Sequence, residues 1–495
     1  MPGGSFVRRR AAWLWIAMAT AIAGPVADAQ VIQPRIVSGL PTSAFPSTGA
    51  LLRGTDPNTA GSWCSGTLIG CSTFLTAAHC VCDTSGPLCQ PPNAPNPANY
   101  KVYLQHAGIF SVASISVRSD FSFPVGDVAI VKLATPVGGV APSGINETQA
   151  PASGTSGVIA GFGRSGGTNY DYGLKRYGAI TTGACPSFVS PTTSVCWTFD
   201  APIGAPGTDS NTCNADSGGP LFVDFGAGPL VAGVTSGGTS SNCLPTDRSY
   251  DANVYTYRSW ITSVGGADLD NTSCGALPQV GSAGVQVTGS SGTVSSTTLE
   301  SRSTFAVPAN TALLRVAMNA HDDGIADFNL FVKQGAAPTT TSYDCARKGT
   351  GQFGVCEFSA PAAGTWNVLV QRVAGAGSYQ VTESAFQPGL LTIDVSAGAT
   401  SVARGGLLPL TFSFANQTGA KQSFAWLASL VRPDGAQIQL VPATGLSLPS
   451  GGSYAPLVNL PLPSTAPLGI WGVGAVIWQP GVGVVDRGFV SFEVK

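Results

Sequence analysis

Cys213-Asn214-Ala215-Asp216-Ser217-Gly218-Gly219-Pro220 sets a serine between an acidic residue and two glycines, which is the local chemistry of a hydroxyl nucleophile. A serine hydroxyl is a poor nucleophile near neutral pH. It needs a base to take its proton and backbone N–H groups to stabilise the oxyanion that forms. Working outward from Ser217, the base should be a histidine, and the chain has three: His79, His106 and His321. His79 stands in Leu75-Thr76-Ala77-Ala78-His79-Cys80, an apolar, strand-like stretch that ends beside a cysteine, and neither of the others has such a setting. The orienting carboxylate is expected at Asp127, which opens Asp127-Val128-Ala129-Ile130-Val131-Lys132-Leu133, where a strand leaves the acid at a buried edge.

The order His79, Asp127, Ser217, with those three contexts, resembles the trypsin/chymotrypsin family of serine peptidases over about residues 36–274. The resemblance implies a double β-barrel. It also implies Ser217 as nucleophile, His79 as proton shuttle, Asp127 as the group that holds the imidazole tautomer, and the Ala215 and Ser217 N–H groups as the oxyanion hole. Arg35-Ile36-Val37-Ser38-Gly39 resembles the family's activation site. Cleavage after Arg35 would release an apolar N-terminus at Ile36, whose amine pairs in the family with the carboxylate before the serine, here Asp216.

This sequence departs from the family at two places. Ala215 stands where glycine is usual, so a methyl group narrows the backbone's choices at the oxyanion hole. Asn211 stands where members that cut after lysine or arginine carry aspartate, and an amide supplies no charge to a buried cation. With Asn211, Thr212 and Asn253 lining it, the pocket is expected to be polar and uncharged, with Ser236 and Gly238 offering backbone groups to an extended substrate. The residue preceding the cut bond is therefore not expected to be strongly basic, unless Asp209 or Asp251 points inward. An enzyme of that preference would rely on another protease to cut at Arg35.

Residues 1–29 have the pattern of a secretory signal peptide: Arg8-Arg9-Arg10, an apolar run from Ala11 to Gly24, and Ala27-Asp28-Ala29. Residues 30–35 are then a propeptide. The apolar run is short for a membrane span, which needs about 20 residues. An exported, monomeric protein is expected, and export makes the 12 cysteines a disulfide question. The family resemblance implies Cys64–Cys80, Cys185–Cys196 and Cys213–Cys243, and Cys345 is expected to pair with Cys356. Cys71, Cys82, Cys89 and Cys274 allow three connectivities; Cys82–Cys89 with Cys71–Cys274 is the preferred one. A zinc site within Cys71 to Cys89 is the rival reading, weakened by the lack of a spare histidine nearby. A net charge of −2 and a charged fraction of 10% argue against nucleic acid as a partner, and no cofactor is called for.

Residues 275–284 read as a small-residue linker. Beyond them Leu314/Val316/Met318, Phe328/Leu330/Val332 and Trp366/Val368/Val370 alternate as in half-buried antiparallel strands. Ala326-Asp327-Phe328-Asn329-Leu330-Phe331-Val332, then Tyr343-Asp344-Cys345, Cys356 and Pro361-Ala362-Ala363-Gly364-Thr365-Trp366, resemble the bacterial pre-peptidase C-terminal domain, a β-sandwich, over about 285–387. Asp322, Asp323, Asp327 and Asn329 offer oxygens to calcium, against the plainer reading of turn caps, and His321 is expected to face solvent. Residues 388–495 alternate again, as in an immunoglobulin-like sandwich. There Trp426, Trp471 and Trp478 are either core residues or a carbohydrate platform.

The expected whole is an all-β chain: a secreted serine endopeptidase followed by two β-sandwiches, acting on protein or peptide substrates. Two other readings stand beside it, a surface-binding or adhesion protein on a peptidase scaffold and a cell-wall peptide hydrolase.

Overall fold

The computed structural model describes residues 36–495 except 201–204, 276, 283, 388–390, 417–420, 435, 450–451 and 480–482. The expected signal peptide, propeptide and Arg35 lie outside the described residues. Among the described residues no helix is long and apolar enough to cross a membrane.

Strands Thr48–Arg53, Gly61–Leu68, Thr73–Thr76, Ala129–Leu133, Gly108–Val117 and Tyr100–Leu104 close into a barrel. Runs such as Tyr100–Leu104 and Ala129–Leu133, with Val, Ile and Tyr in them, favour such strands. The second of the two expected barrels is a seven-stranded sheet curled into a half-barrel, with Leu40–Pro41 at one edge and Ser194–Phe199 at the other. A single bridge, Gly183 to Cys196, and the Cys185–Cys196 disulfide span its gap. The helix Val254–Gly265 follows, its N-terminus capped by the Asn253 side chain, with Val254, Tyr257 and Ile261 turned to the core at helical spacing.

The chain then returns to the first barrel. Cys71 is bonded to Cys274. Asp268 accepts from Cys71 N at 3.0 Å, Ser72 N at 2.9 Å and the Thr73 hydroxyl at 2.6 Å. The stretch expected as a linker is pinned rather than free: Gln279 folds back to pair with both backbone groups of Cys274, and Val280 N donates to Gly139 O.

A first sandwich is built from two four-stranded sheets, Val285–Val294, Gly377–Phe386, Leu313–Ala320 and Phe353–Ser359 against Glu300–Val307, Gly364–Ala374, Asp327–Gln334 and Cys345–Arg347. Cys345–Cys356 ties one sheet to the other. Leu314, Val316 and Met318 face its core, yet Arg315, Ala317 and Asn319 between them are also buried. They lie against the peptidase barrel. Phe353 packs between Tyr103 and Phe162, with ring centroids 5.0 and 6.4 Å away. Gln380 pairs with both backbone groups of Lys175, and Asn319 donates to Gly173 O at 2.8 Å.

The last sandwich sets Leu391–Ala397, Leu407–Asn416, Ser453–Tyr454 and Leu457–Pro461 against a five-stranded sheet containing Gln422–Val431 and Gly469–Gln479. Trp426 and Trp471 belong to its core, whereas Trp478 is partly exposed. The three therefore do not form one platform.

Candidate active site

Strand Thr73–Thr76 runs into a tight turn at Ala78–Cys80, which the Cys64–Cys80 disulfide fastens to the neighbouring strand. That turn presents His79 at the barrel's edge. Asp127 precedes strand Ala129–Leu133, the neighbour of Thr73–Thr76, and is fully buried. One Asp127 oxygen accepts from His79 N at 2.9 Å and the other lies 2.7 Å from His79 Nδ1. Because a carboxylate only accepts, Nδ1 carries the proton and Nε2 is left as the basic nitrogen. The Ser236 hydroxyl donates to the same Asp127 oxygen at 2.6 Å. Beyond the backbone groups expected of Ser236, its side chain completes the carboxylate's shell. Burial by itself lowers the affinity of the His79 ring for a proton, but the charge and hydrogen bond of Asp127 outweigh it and hold the imidazole above its ordinary value.

Ser217 and His79 line one cavity of about 410 Å³. Behind Ser217 the backbone is held by close fits. Gly218 has φ 84°, and a side chain there would lie 2.1 Å from the Thr76 hydroxyl, so only glycine is accommodated. Ala215 is left-handed, with φ 68°, a conformation that costs a residue bearing Cβ about 1 kcal/mol. The Ser65 hydroxyl holds its carbonyl at 2.9 Å. Among the described residues neither Ala215 N–H nor Ser217 N–H donates to a protein acceptor.

Asp216 is buried, and its two oxygens accept from Gly163 N at 2.8 Å and Cys213 N at 2.9 Å. Burial pushes its carboxyl up to about 7 against those donors. Val37 and Asn211 exchange backbone hydrogen bonds of 3.0 Å each, and Ile36 lies fully buried among Ile159, Ile180, Trp197 and Leu221.

The pocket departs from the sequence expectation. Thr212, Ser236 and Gly238 line the cavity; Asn211 and Asn253 do not. Asn253 caps a helix, and Asn211 is consumed by its neighbours. Its oxygen accepts from Trp197 Nε1 at 3.1 Å and the Ser249 hydroxyl at 2.6 Å. Its Nδ2 donates to Cys243 O at 3.2 Å and Asp247 Oδ2 at 2.8 Å. Neither Asp209 nor Asp251 reaches the cavity, whereas Asp247 lines it. Asp251 is enclosed, and burial pushes its carboxyl well above the usual range. Asp247 and Phe123, whose ring stands edge-on to His79 at 5.6 Å, were not singled out from the sequence. Nothing local marks either one: Phe123 lies in the loop between Gly108–Val117 and Ala129–Leu133, and Asp247 opens the strand Asp247–Asn253.

Elsewhere, Asp322 accepts from Ser62 N at 2.6 Å across to the barrel, and Asp323 caps Ile325 N and Ala326 N. These carboxylates act as turn caps and as a contact between domains. His321 is part-buried and 3.2 Å from Asp323, not solvent-facing. His79 also lies within reach of Cys64 and Cys80, whose sulfurs are bonded to each other. Cys71 and Cys274, Cys82 and Cys89, and Cys213 and Cys243 are likewise joined, so those sulfurs do not ligate metal.

Barrel, half-barrel and cleft together define a β-barrel hydrolase. Residues 36–261 match the trypsin family model, and residues 301–372 match that of the bacterial pre-peptidase C-terminal domain. A fibrinolytic enzyme, isozyme C, of Lumbricus rubellus is 31% identical over 236 residues, covering 41% of this chain and 89% of that protein. Serine protease SP24D of Anopheles gambiae is 31% identical over 199 residues, 38% of this chain and 68% of that protein. Xanthomonalisin of Xanthomonas sp. (strain T-22) shares 48% identity over 48 residues, 10% of this chain and 6% of that protein. The chain belongs to the trypsin family and is a serine-type endopeptidase acting on protein substrates.

Proposed function

We propose that this endopeptidase works through Ser217, His79 and Asp127 as an exported enzyme activated by cleavage after Arg35. The observation that carries the catalytic reading is the hydrogen-bonded line Ser236, Asp127, His79 in a cleft that Ser217 shares. His79 Nε2 takes the Ser217 proton as Oγ attacks the scissile carbonyl, and returns it to the leaving amine. Water then repeats the sequence on the acyl-enzyme. The Ala215 and Ser217 N–H groups stabilise the oxyanion, which fits their lack of a protein acceptor.

The zymogen reading is supported by Asp216, a buried carboxylate raised to about 7 in the uncut chain. The Arg176 charge acts on Asp216 without pairing with it, and a new Ile36 amine would supply a direct cationic partner. Ile36 is already buried, and the Val37–Asn211 pairing holds the adjoining backbone. The disulfides, together with the signal-like residues 1–29, support export.

A fluorophosphonate should label the chain once it begins at Ile36, and Ser217→Ala should abolish labelling. Labelling that persists in Ser217→Ala would sink the nucleophile assignment. Asp127→Asn should lower kcat by about 10⁴-fold, because the amide favours the wrong tautomer. The acid limb of kcat/KM should lie above the ordinary imidazole range, since activity needs neutral His79 and Asp127 raises its affinity for protons. An acid limb below that range would contradict the pairing.

A further inference from the structure

The first sandwich lies across the seam between the two halves of the peptidase. His79 and Asp127 adjoin strands of the barrel, and Ser217 precedes the half-barrel strand Pro220–Asp224, so the two sets of groups meet at that seam. Three residues of the sandwich each touch both halves. Asn319 accepts from Gln105 Nε2 on the barrel at 3.0 Å and donates to Gly173 O on the half-barrel at 2.8 Å. Asp322 Oδ2 accepts from Ser62 N on the barrel at 2.6 Å, while Asp322 N donates to Tyr172 O on the half-barrel at 3.0 Å. The Phe353 ring stands between Tyr103 of the barrel and Phe162 of the half-barrel. The approach is close. Gly173 has φ 86°, and a Cβ there would lie 2.3 Å from Ala320 O, so only glycine is accommodated.

From Asp322 two short routes lead to the catalytic groups. Ser62 is followed on strand Gly61–Leu68 by Trp63, whose Nε1 donates to Cys80 O at 2.7 Å, and by Cys64, which is bonded to Cys80. Cys80 adjoins His79. On the half-barrel side, Gly173 N donates to Phe162 O at 2.9 Å, and the next residue, Gly163, donates its N–H to Asp216, the neighbour of Ser217, at 2.8 Å. Contiguous packing and hydrogen bonds of this kind are what carry a displacement from one place to another.

The halves are also tied at Ser65, on the same strand as Ser62. Ser65 N donates to Ser217 O at 2.8 Å, and its hydroxyl donates to Ala215 O and accepts from Phe162 N, each at 2.9 Å. One tie between two rigid bodies leaves a hinge. A second tie set apart from the first removes it, and the sandwich supplies that second tie. The consequence is kinetic, since a misplacement of about 1 Å between reacting groups costs about 100-fold in rate.

We propose that the first sandwich is a clamp across the seam, and that Asp322 and Asn319 are positioning residues that set His79 against Ser217 through the strand Gly61–Leu68 and the segment at Phe162 and Gly163. The inference rests on the proposed use of Ser217 and His79, because only then does the seam divide nucleophile from base. It gives the sandwich a part in turnover rather than in stability alone.

The test uses the full chain beginning at Ile36, with labelled casein for kcat and KM and a fluorophosphonate for the reactivity of Ser217. Asp322→Ala should lower kcat and the labelling rate by about 10–100-fold, with KM held within about 2-fold. The acid limb should stay where wild type has it, because the His79–Asp127 pair is untouched and the loss lies in the plateau. Asp322→Asn keeps an oxygen for Ser62 N and should recover most of the rate. Ser384→Ala removes a contact made with the barrel alone; it should lower the melting temperature and leave kcat unchanged. Where Asp322→Ala fails to fold, Phe353→Leu, which thins the wedge between Tyr103 and Phe162, should show the same fall in kcat at constant KM.

A folded Asp322→Ala or Phe353→Leu that melts earlier yet keeps the wild-type kcat and labelling rate overturns the inference, as does an equal loss of kcat in Ser384→Ala. If wild type is labelled at Ser217 and the seam variants match it, this inference alone has failed. If wild type is not labelled, or Ser217→Ala still is, the failure belongs to the proposed mechanism.

Discussion

The two sandwiches look alike along the sequence and differ in how they are built. In the last one, strand Gln422–Val431 alternates buried and part-buried residues along its length, the signature of one face on a core and one nearer water. In the first, Leu313–Ala320 is buried at seven successive positions and Gly377–Phe386 at eight. The second face of those strands carries Arg315, Asn319, Gln380, Thr382 and Ser384, residues that ordinarily meet solvent. Here they meet the peptidase instead. Arg315 donates to Gly138 O at 2.7 Å and Gln105 Nε2 to Asn319 at 3.0 Å, while the Ser384 hydroxyl lies 2.9 Å from His106 Nδ1. A sheet face can thus be hydrophilic and interior at once, provided each polar group finds a partner.

The comparison is broken most severely by truncation. Removing residues 285–495 strips the cover from Tyr103 and Phe162, and little soluble peptidase should result. Removing 388–495 alone should leave Ser217 reactive toward fluorophosphonate; equal loss in both truncations would erase the distinction. Next in size, Phe353→Ala should cost about 3–5 kcal/mol, read as a lower melting temperature of peptidase and first sandwich together. Phe412→Ala should cost as much in the last sandwich and leave the peptidase transition in place.

A pH titration sharpens the contrast further. His106 is buried at the interface; Nε2 lies 2.7 Å from Ser43 O, which only accepts, so the ring is neutral with its proton on Nε2. Burial and the Lys175 charge lower it to about 4. The unfolded chain therefore binds the extra proton between about 6.5 and 4, and stability is lost as the pH falls through that window, by up to about 3 kcal/mol. Asp486 in the last sandwich is raised by burial to about 6. Its effect has the opposite sign: stability is greatest in acid and declines as the pH rises from about 3.8 to about 6. Comparing wild type with His106→Gln and Asp486→Asn by thermal melts at pH 4.5 and 7 should reveal the two slopes, and parallel slopes would refute the assignment. Asn319→Ala, which strands Gly173 O, should cost about 1–3 kcal/mol. Smallest of all, Trp478→Ala should shift stability by no more than about 0.5 kcal/mol, because its ring is 45% exposed.

The barrel strands and the surroundings of His79, Asp127 and Ser217 were legible because each sits in a local pattern, an apolar run ending at a polar residue or a serine among glycines. Burial of Leu314, Val316 and Met318 was legible from period two. The pocket wall was not. Asn211 occupies the position that draws attention, but its side chain points to Trp197, Ser249 and Asp247, a choice set by packing across strands. Asp247 lies 30 residues beyond Ser217, in a stretch rich in Ser, Thr and Asp where no spacing rule distinguishes one acid from another. The docked face was hidden for a related reason, since a polar residue looks the same in sequence whether its partner is water or a carbonyl.

The interface also sets a timetable. Its side-chain hydrogen bonds join residues 146 to 278 positions apart, so the set is complete only once the chain has reached Ser384. Contacts so remote form late and slowly. Meanwhile the apolar patch around Tyr103 and Phe162 is open to aggregation or to a holding chaperone. A peptidase whose barrel is finished by a later part of its own chain matures only after that part has arrived. Arrival of the first sandwich, ending with the strand Gly377–Phe386, is thus the step that the peptidase fold waits for.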